Sequence, residues 1–172
     1  MFNKCTAATM IDVSGWNTEN VTDMWSMFND CGALTSLDMR SWNTSKVTTM
    51  SYMFYKNYAM TEYDLSSFTI GSSTVLTYMF SLSNHVKKMI LGPGFLKSGS
   101  PTQMFAAASQ TTEDRFGDPA GVSIYCTQTT ADWLAGTTLR WVNSGYKNMT
   151  PIPVKFYDLT TGAELTVSWA SN

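Results

Sequence analysis

Apolar residues recur in this chain with one fixed spacing: Leu34-x-x-Leu37-x-Met39, Met60-x-x-Tyr63-x-Leu65 and Val86-x-x-Met89-x-Leu91, with Ala8-x-x-Ile11-x-Val13 as a weaker first copy. The last two apolar positions of each copy alternate with polar ones, a period of two that predicts a short strand with one face inward. Leu37 and Met39 point in, and Ser36, Asp38 and Arg40 point out. A polar turn follows, Asn43-Thr44-Ser45-Lys46, and then Val47, Met50, Met53 and Phe54. That spacing predicts one or two turns of α or 3₁₀ helix with the apolar side inward. Thr22 and Thr48 stand ahead of these stretches as N-caps.

The whole unit repeats. Trp16, Trp42 and Phe68 are 26 residues apart, as are Met27-Phe28, Met53-Phe54 and Met79-Phe80. A fixed period of this length predicts a solenoid in which each coil buries its apolar side against its neighbours. The expected fold class is an α/β solenoid, a right-handed leucine-rich-repeat-like coil of short parallel strands and short helical returns closed by a C-terminal β-hairpin cap. Residues 1–105 hold about four coils, the first partial, and residues 106–172 form a capping region. The fourth copy is eroded: Gly92-Pro93-Gly94-Phe95 replaces the Trp corner. Beyond it, Ala106 to Gly121 reads as an irregular loop and Val122-x-Ile124-x-Cys126 as a last strand. Thr130 to Leu134 reads as a short helix closed near Gly136, and Val154 to Trp169 as a hairpin around Thr160-Thr161-Gly162.

Composition narrows the function classes. A net charge of −2 and 14% charged residues give no basic field, so nucleic acid is not an expected partner. No apolar run approaches the roughly 18 residues needed to cross a bilayer, so membrane insertion is not expected. The start, Met1-Phe2-Asn3-Lys4-Cys5-Thr6, lacks the apolar stretch of roughly 7 to 15 residues of a secretion signal. Three cysteines argue against a dense disulfide framework. Cys5 and Cys31 fall on adjacent coils, where stacked strands bring backbones about 5 Å apart and a disulfide is geometrically open. Tyr58 is read at that place in the third coil, and the favoured reading makes both thiols, like Cys126, small buried hydrophobes.

Candidate chemistry centres on a ladder of carboxylates, Asp12, Asp38 and Asp64. Carboxylates stacked about 5 Å apart repel unless each is hydrogen-bonded or a cation intervenes. Three readings follow: local turn capping helped by Ser14 and Ser66, a ligand surface on the concave face, or a metal ladder. Capping is favoured, since calcium wants about six to eight oxygens and the fourth coil has Ile90. The ligand reading takes in Asp12, Ser36, Asp38, Arg40, Glu62 and Asp64. Trp16, Trp42 and Phe68 are expected to fill the corner of the core. Tyr52, Tyr55 and Tyr78 fall on the outer side of the return, where tyrosines can meet a partner. His85 is the single histidine, beside Lys87 and Lys88 in a polar turn. Neither a Gly-x-Ser-x-Gly elbow nor a phosphate loop is present, so no catalytic residues, metal site or cofactor are expected.

The repeat resembles the BspA-type leucine-rich repeats, in the 26-residue form common in bacterial surface proteins. Its units read roughly L-D-L/M/V-S-x-W-D/N-T-S-x-V-T-x-M-x-x-M-F-x-x-C-x-x-L-T. Asp38-Met39, Trp42-Asn43-Thr44-Ser45, Val47-Thr48, Met50, Met53-Phe54 and Leu65-Ser66 match it, as do Val21-Thr22-Asp23-Met24 and Cys31-x-x-Leu34-Thr35. The likeness covers about residues 1 to 105. It implies a non-catalytic binding or adhesion module, outside the cell or on its surface, with a protein or glycan partner. Members commonly carry a signal peptide and a wall anchor; export here is expected to use something outside this chain. Aligning Met1-Phe2-Asn3-Lys4-Cys5 on Met27-Phe28-Asn29-Asp30-Cys31 puts Met1 in mid-coil, so the expectation is either a piece of a longer surface protein or a subunit contact at that N-terminal edge. A second reading is therefore a structural or receptor-binding component of a phage virion or other assembly.

Overall fold

A computed structural model describes residues 1–96, 104–105, 116–136 and 152–169. Its regular elements are β1 (Glu62–Leu65), β2 (Lys88–Leu91), β3 (Val122–Cys126), α1 (Gln128–Ala135) and β4 (Val154–Asp158). The strands form one open parallel sheet in chain order. Period-two patterning explains them: Tyr63 and Leu65, Met89 and Leu91, and Val122, Ile124 and Cys126 are buried, while the residues between face outward. Glu62 faces Lys88, 26 residues on. The later steps are longer, with Lys88 facing Ser123 and Val122 facing Val154.

Ahead of β1 the same alternation persists without a strand ladder. Val13, Leu37 and Met39 are buried and Asp12, Asp38 and Arg40 exposed, yet this level of the first two units is joined by an isolated parallel bridge, Met10 to Ser36. Side chains hold the carbonyls that a ladder would use. Trp42 Nε1 donates to Val13 O at 3.2 Å, Ser41 Oγ to Ser14 O at 2.8 Å and Ser67 Oγ to Met39 O at 3.0 Å. In the fourth unit the Ser41 and Ser67 place falls to Pro93, and Gly92 gives its own amide to Leu65 O at 3.4 Å. A Cβ at Gly92 would lie 1.9 Å from the Ser66 carbonyl oxygen, so this approach requires glycine. Thr18 and Thr44 add a second staple: Thr44 Oγ1 accepts the Thr69 amide at 2.9 Å and donates to its carbonyl at 2.9 Å, as Thr18 does with Asn43.

The predicted helical return is instead a stack of turns. Met24, Ser26, Phe28 and Asp30 donate their amides to Thr49, Ser51, Met53 and Tyr55 in the next unit at 2.8 to 3.0 Å. Met50, Tyr52, Phe54 and Lys56 repeat this toward Val75, Thr77, Met79 and Ser81. Amides between them close local turns, Met27 to Met24, Met53 to Met50 and Met79 to Leu76. Ser26, Tyr52 and Tyr78 have φ of 51°, 57° and 56°, the left-handed value a type II turn needs at its third residue. Lys4, Asp30, Lys56 and Leu82 are left-handed too. Spacings of three, three and one serve consecutive turns as well as a helix, and here the amides bond to the next unit. Thr48 caps nothing helical; its amide and hydroxyl both donate to Thr22 O, at 2.8 and 3.0 Å.

Between the two sides lies an aromatic core. Phe2, Phe28, Phe54, Phe80 and Phe105 stack in sequence with centroids 5.4 to 6.0 Å apart. Trp16, Trp42 and Phe68 stack beside them at 6.1 and 6.3 Å. Trp42 and Phe68 are buried and Trp16 half-buried, the corner filling expected of them. Asn57, not Tyr58, takes the cysteine place of the third unit, and its Oδ1 accepts the Cys31 amide at 3.2 Å. Cys5 and Cys31 are free thiols, as is the buried Cys126.

The C-terminal elements share the sheet of the repeats. Helix α1 starts two residues before the predicted Thr130, because the Thr127 hydroxyl caps it by accepting the Thr130 amide; Gly136 closes it. The hairpin reverses through Gly162 as expected, with Tyr157 bridging Glu164 in antiparallel sense. Its first arm is nevertheless β4, paired in parallel with β3 over five residues. The segment expected as a cap therefore supplies the fourth strand. Residues 106–115 of the predicted loop lie outside the described residues.

Candidate ligand-binding face

The strand alternation that buries one row of side chains must present the other. Asp12, Ser36, Asp38, Arg40 and Glu62 are exposed and Asp64 is half-buried, all on the outward side. Each aspartate closes the turn that ends its strand segment. Asp12 Oδ1 accepts the Ser14 amide at 3.0 Å and hydroxyl at 2.7 Å, and Asp64 Oδ1 the Ser66 amide at 3.0 Å. Asp38 takes the Arg40 amide at 3.3 Å and the guanidinium in bidentate fashion, Nε to Oδ1 at 2.9 Å and Nη2 to Oδ2 at 2.7 Å. Those bonds hold the Asp12 carboxyl below the usual range through Ser14, and the Asp38 carboxyl at about 2 through Arg40. The Arg40 guanidinium is held still more firmly protonated, chiefly by Asp38 and also by Asp64 of the next unit. The aspartates thus do the local capping that their spacing suggested. Among the described residues no group of three His, Cys, Asp or Glu converges to hold a metal ion.

The face continues onto β2, β3 and β4. Glu62 pairs with Lys88 at 2.8 Å, a bond that raises the lysine's proton affinity. Lys88 Nζ also lies 5.6 Å from the centre of the Tyr125 ring. Tyr125 stacks on Tyr157 at 5.1 Å, and register carries the Asp64 position through Ile90 to both tyrosines. Lys88, Tyr125 and Tyr157 were not among the residues picked from sequence. The period-two pattern of Val122-x-Ile124-x-Cys126 and Val154-x-Phe156 does put Tyr125 and Tyr157 outward, but reading Val154 onward as a separate hairpin hid their meeting. The outward row thus changes along the sheet from carboxylates to aromatic rings.

The remaining candidates lie elsewhere. On the turn side, half-buried Tyr52 packs against Tyr78 at 5.2 Å and Tyr55 at 5.5 Å. His85 is exposed ahead of β2. A groove of about 440 Å³ lies between β4 and the returning chain, lined by Phe156, Leu165, Val167, Trp169 and the Lys155–Glu164 ion pair among others. Among the described residues no helix is long and apolar enough to cross a membrane.

No curated protein and no solved structure matches the chain. Residues 1–116 match a family model described as "Mycoplasma protein of unknown function, DUF285". The matched span covers the repeated region and stops before β3. With 116 of its 172 residues matched, the chain belongs to the DUF285 family.

Proposed function

We propose that this chain is a non-catalytic binding module, a right-handed leucine-rich-repeat-like solenoid of the BspA type, displayed outside the cell or on its surface. It recognises a protein or glycan through the outward face of its sheet. The observation that carries the reading is that one row of each unit is spent on the core while the other is presented in register and held in place. Asp38 and Arg40 are fixed by a bidentate pair, and Glu62, Lys88 and Tyr125 by one another. Side chains ordered before binding lose less entropy on meeting a partner. An extended face built from stacked repeats is the surface such architectures use.

A glycan and host-protein screen of the chain tests this, followed by Asp38→Ala, Arg40→Ala and Tyr125→Ala variants measured against any binder found. The expected result is a loss of roughly tenfold or more in affinity from at least one of them, with the melting temperature nearly unchanged. A binder indifferent to all three substitutions places recognition off this face and overturns the reading.

A further inference from the structure

Cys5 and Cys31 occupy the same place in successive units, 26 residues apart. The turn-side ladder fixes their register, because Phe2 N donates to Met27 O at 2.8 Å and Lys4 N to Asn29 O at 2.8 Å. One carbonyl then touches both residues: Phe2 O receives the Cys5 amide at 3.4 Å and the Cys31 thiol at 3.0 Å. The Cys5 thiol is among the neighbours that act electrostatically on the Cys31 thiol. Backbones at strand spacing, about 4.8 Å, fall inside the roughly 4.4 to 6.8 Å window of Cα separations that a disulfide spans. The two thiols differ in access, since Cys5 is half-buried and Cys31 buried. Neither later unit offers a second pair, because Asn57 and Ser83 hold the place there.

We propose that Cys5 and Cys31 form a modification site that reacts with low-molecular-weight disulfides and locks the first two units together covalently. The Cys5 thiolate, the more accessible, attacks one sulfur of the small disulfide, breaks its S–S bond and releases one small thiolate. The Cys31 thiolate then attacks the Cys5 sulfur of the mixed disulfide and expels the second small thiolate. One disulfide is consumed and one formed, and the two protons lost by the cysteines end on the two released thiols. Burial pushes the Cys31 thiol up, so the second step quickens as pH rises.

The test incubates the native chain with oxidised glutathione at pH 8, then counts thiols after denaturation and maps the linked peptides by mass spectrometry. Expected are a fall from three thiols to one, a Cys5–Cys31 linked peptide, and a melting temperature higher by roughly 5 to 10 °C that dithiothreitol reverses. The Cys31→Ser variant is expected to stop as a glutathione adduct on Cys5, and Cys126→Ser to behave as the native chain does. Retention of all three thiols, a lasting glutathione adduct on the native chain, or a disulfide-linked dimer each overturns the proposal. Peptide mapping on the unsubstituted chain keeps the result decisive even where a variant fails to fold.

Discussion

The two sides of each unit are joined to their neighbours by different means. On the turn side backbone amides bond to the carbonyls of the next unit from Phe2 to Lys56, and again from Phe80 to Met104. On the strand side the join changes along the chain, from Trp42, Ser41 and Ser67 side-chain bonds to the backbone ladder of β1 with β2. A backbone join does not depend on which side chain stands at a position. Register is kept by the turn side as far as Met104 and by the strand ladder from β1 to β4, while the outward row passes from Asp12, Asp38 and Asp64 to Tyr125 and Tyr157. Ahead of β1 the backbone join and the outward row therefore lie on separate sides of the same repeat.

The largest expected effect breaks the turn side from within. Phe54 is fully buried between Phe28 and Phe80, at 6.0 and 5.4 Å, with Tyr63 at 4.8 Å. Phe54→Ala leaves a cavity where two stacked units meet and is expected to cost about 3–5 kcal/mol, read from urea unfolding. Asp12→Ala on the exposed outward row is expected to leave the urea midpoint almost unchanged. Equal losses would show that the two sides are not separable.

A smaller effect distinguishes the strand-side staples from the backbone ladder. Thr44 is buried and its hydroxyl serves both the amide and the carbonyl of Thr69. Thr44→Val keeps the shape and strands both partners, with an expected cost of about 1–3 kcal/mol. Smaller again, and opposite in sign, is Lys56→Gly. Lys56 has φ of 61°, a conformation that costs a side chain about 1–2 kcal/mol and glycine little. After the added flexibility of the unfolded chain, a gain of up to about 1 kcal/mol is expected. A destabilised variant would mean that the Lys56 side chain, which lies over the Tyr55 ring, matters more than the turn.

The repeat made the core, the register and the outward row legible. Period two placed Leu37, Met39, Tyr63 and Leu65 inside and Asp38 and Glu62 outside, as observed. The return was misread because inward residues at spacings of three, three and one satisfy a helix and a stack of turns alike. The signal that separates them, glycine or asparagine at the left-handed positions, is missing where Ser26, Tyr52 and Tyr78 stand. The early strands dissolved for a reason that patterning does not encode, the indole and hydroxyl donors that claim the strand carbonyls. Alternation identified β4 as a strand without naming its partner, so the Tyr125–Tyr157 half of the face went unseen.

The finest distinction lies within the outward row itself, between a carboxylate held by a cation and one held by a neutral neighbour. Asp38 sits at about 2, below the ordinary value near 3.9, chiefly because the Arg40 side chain donates to it. A depressed carboxylate stabilises the fold above its unfolded value and loses that contribution as pH falls, here between about pH 4 and pH 2. Both partners are exposed, so the stability involved is small and screened by salt. The titration itself is the sharper readout. Arg40→Ala is expected to raise the Asp38 value in a carboxyl NMR titration, though not fully to 3.9, because the amide at position 40 still donates. High salt is expected to shift Asp38 upward in the native chain more than Asp12, whose carboxyl is held by the uncharged Ser14. An Asp38 that stays in place when Arg40 is removed is not ordered by the ion pair, and the strand side then lacks the pre-set geometry that recognition by this face requires.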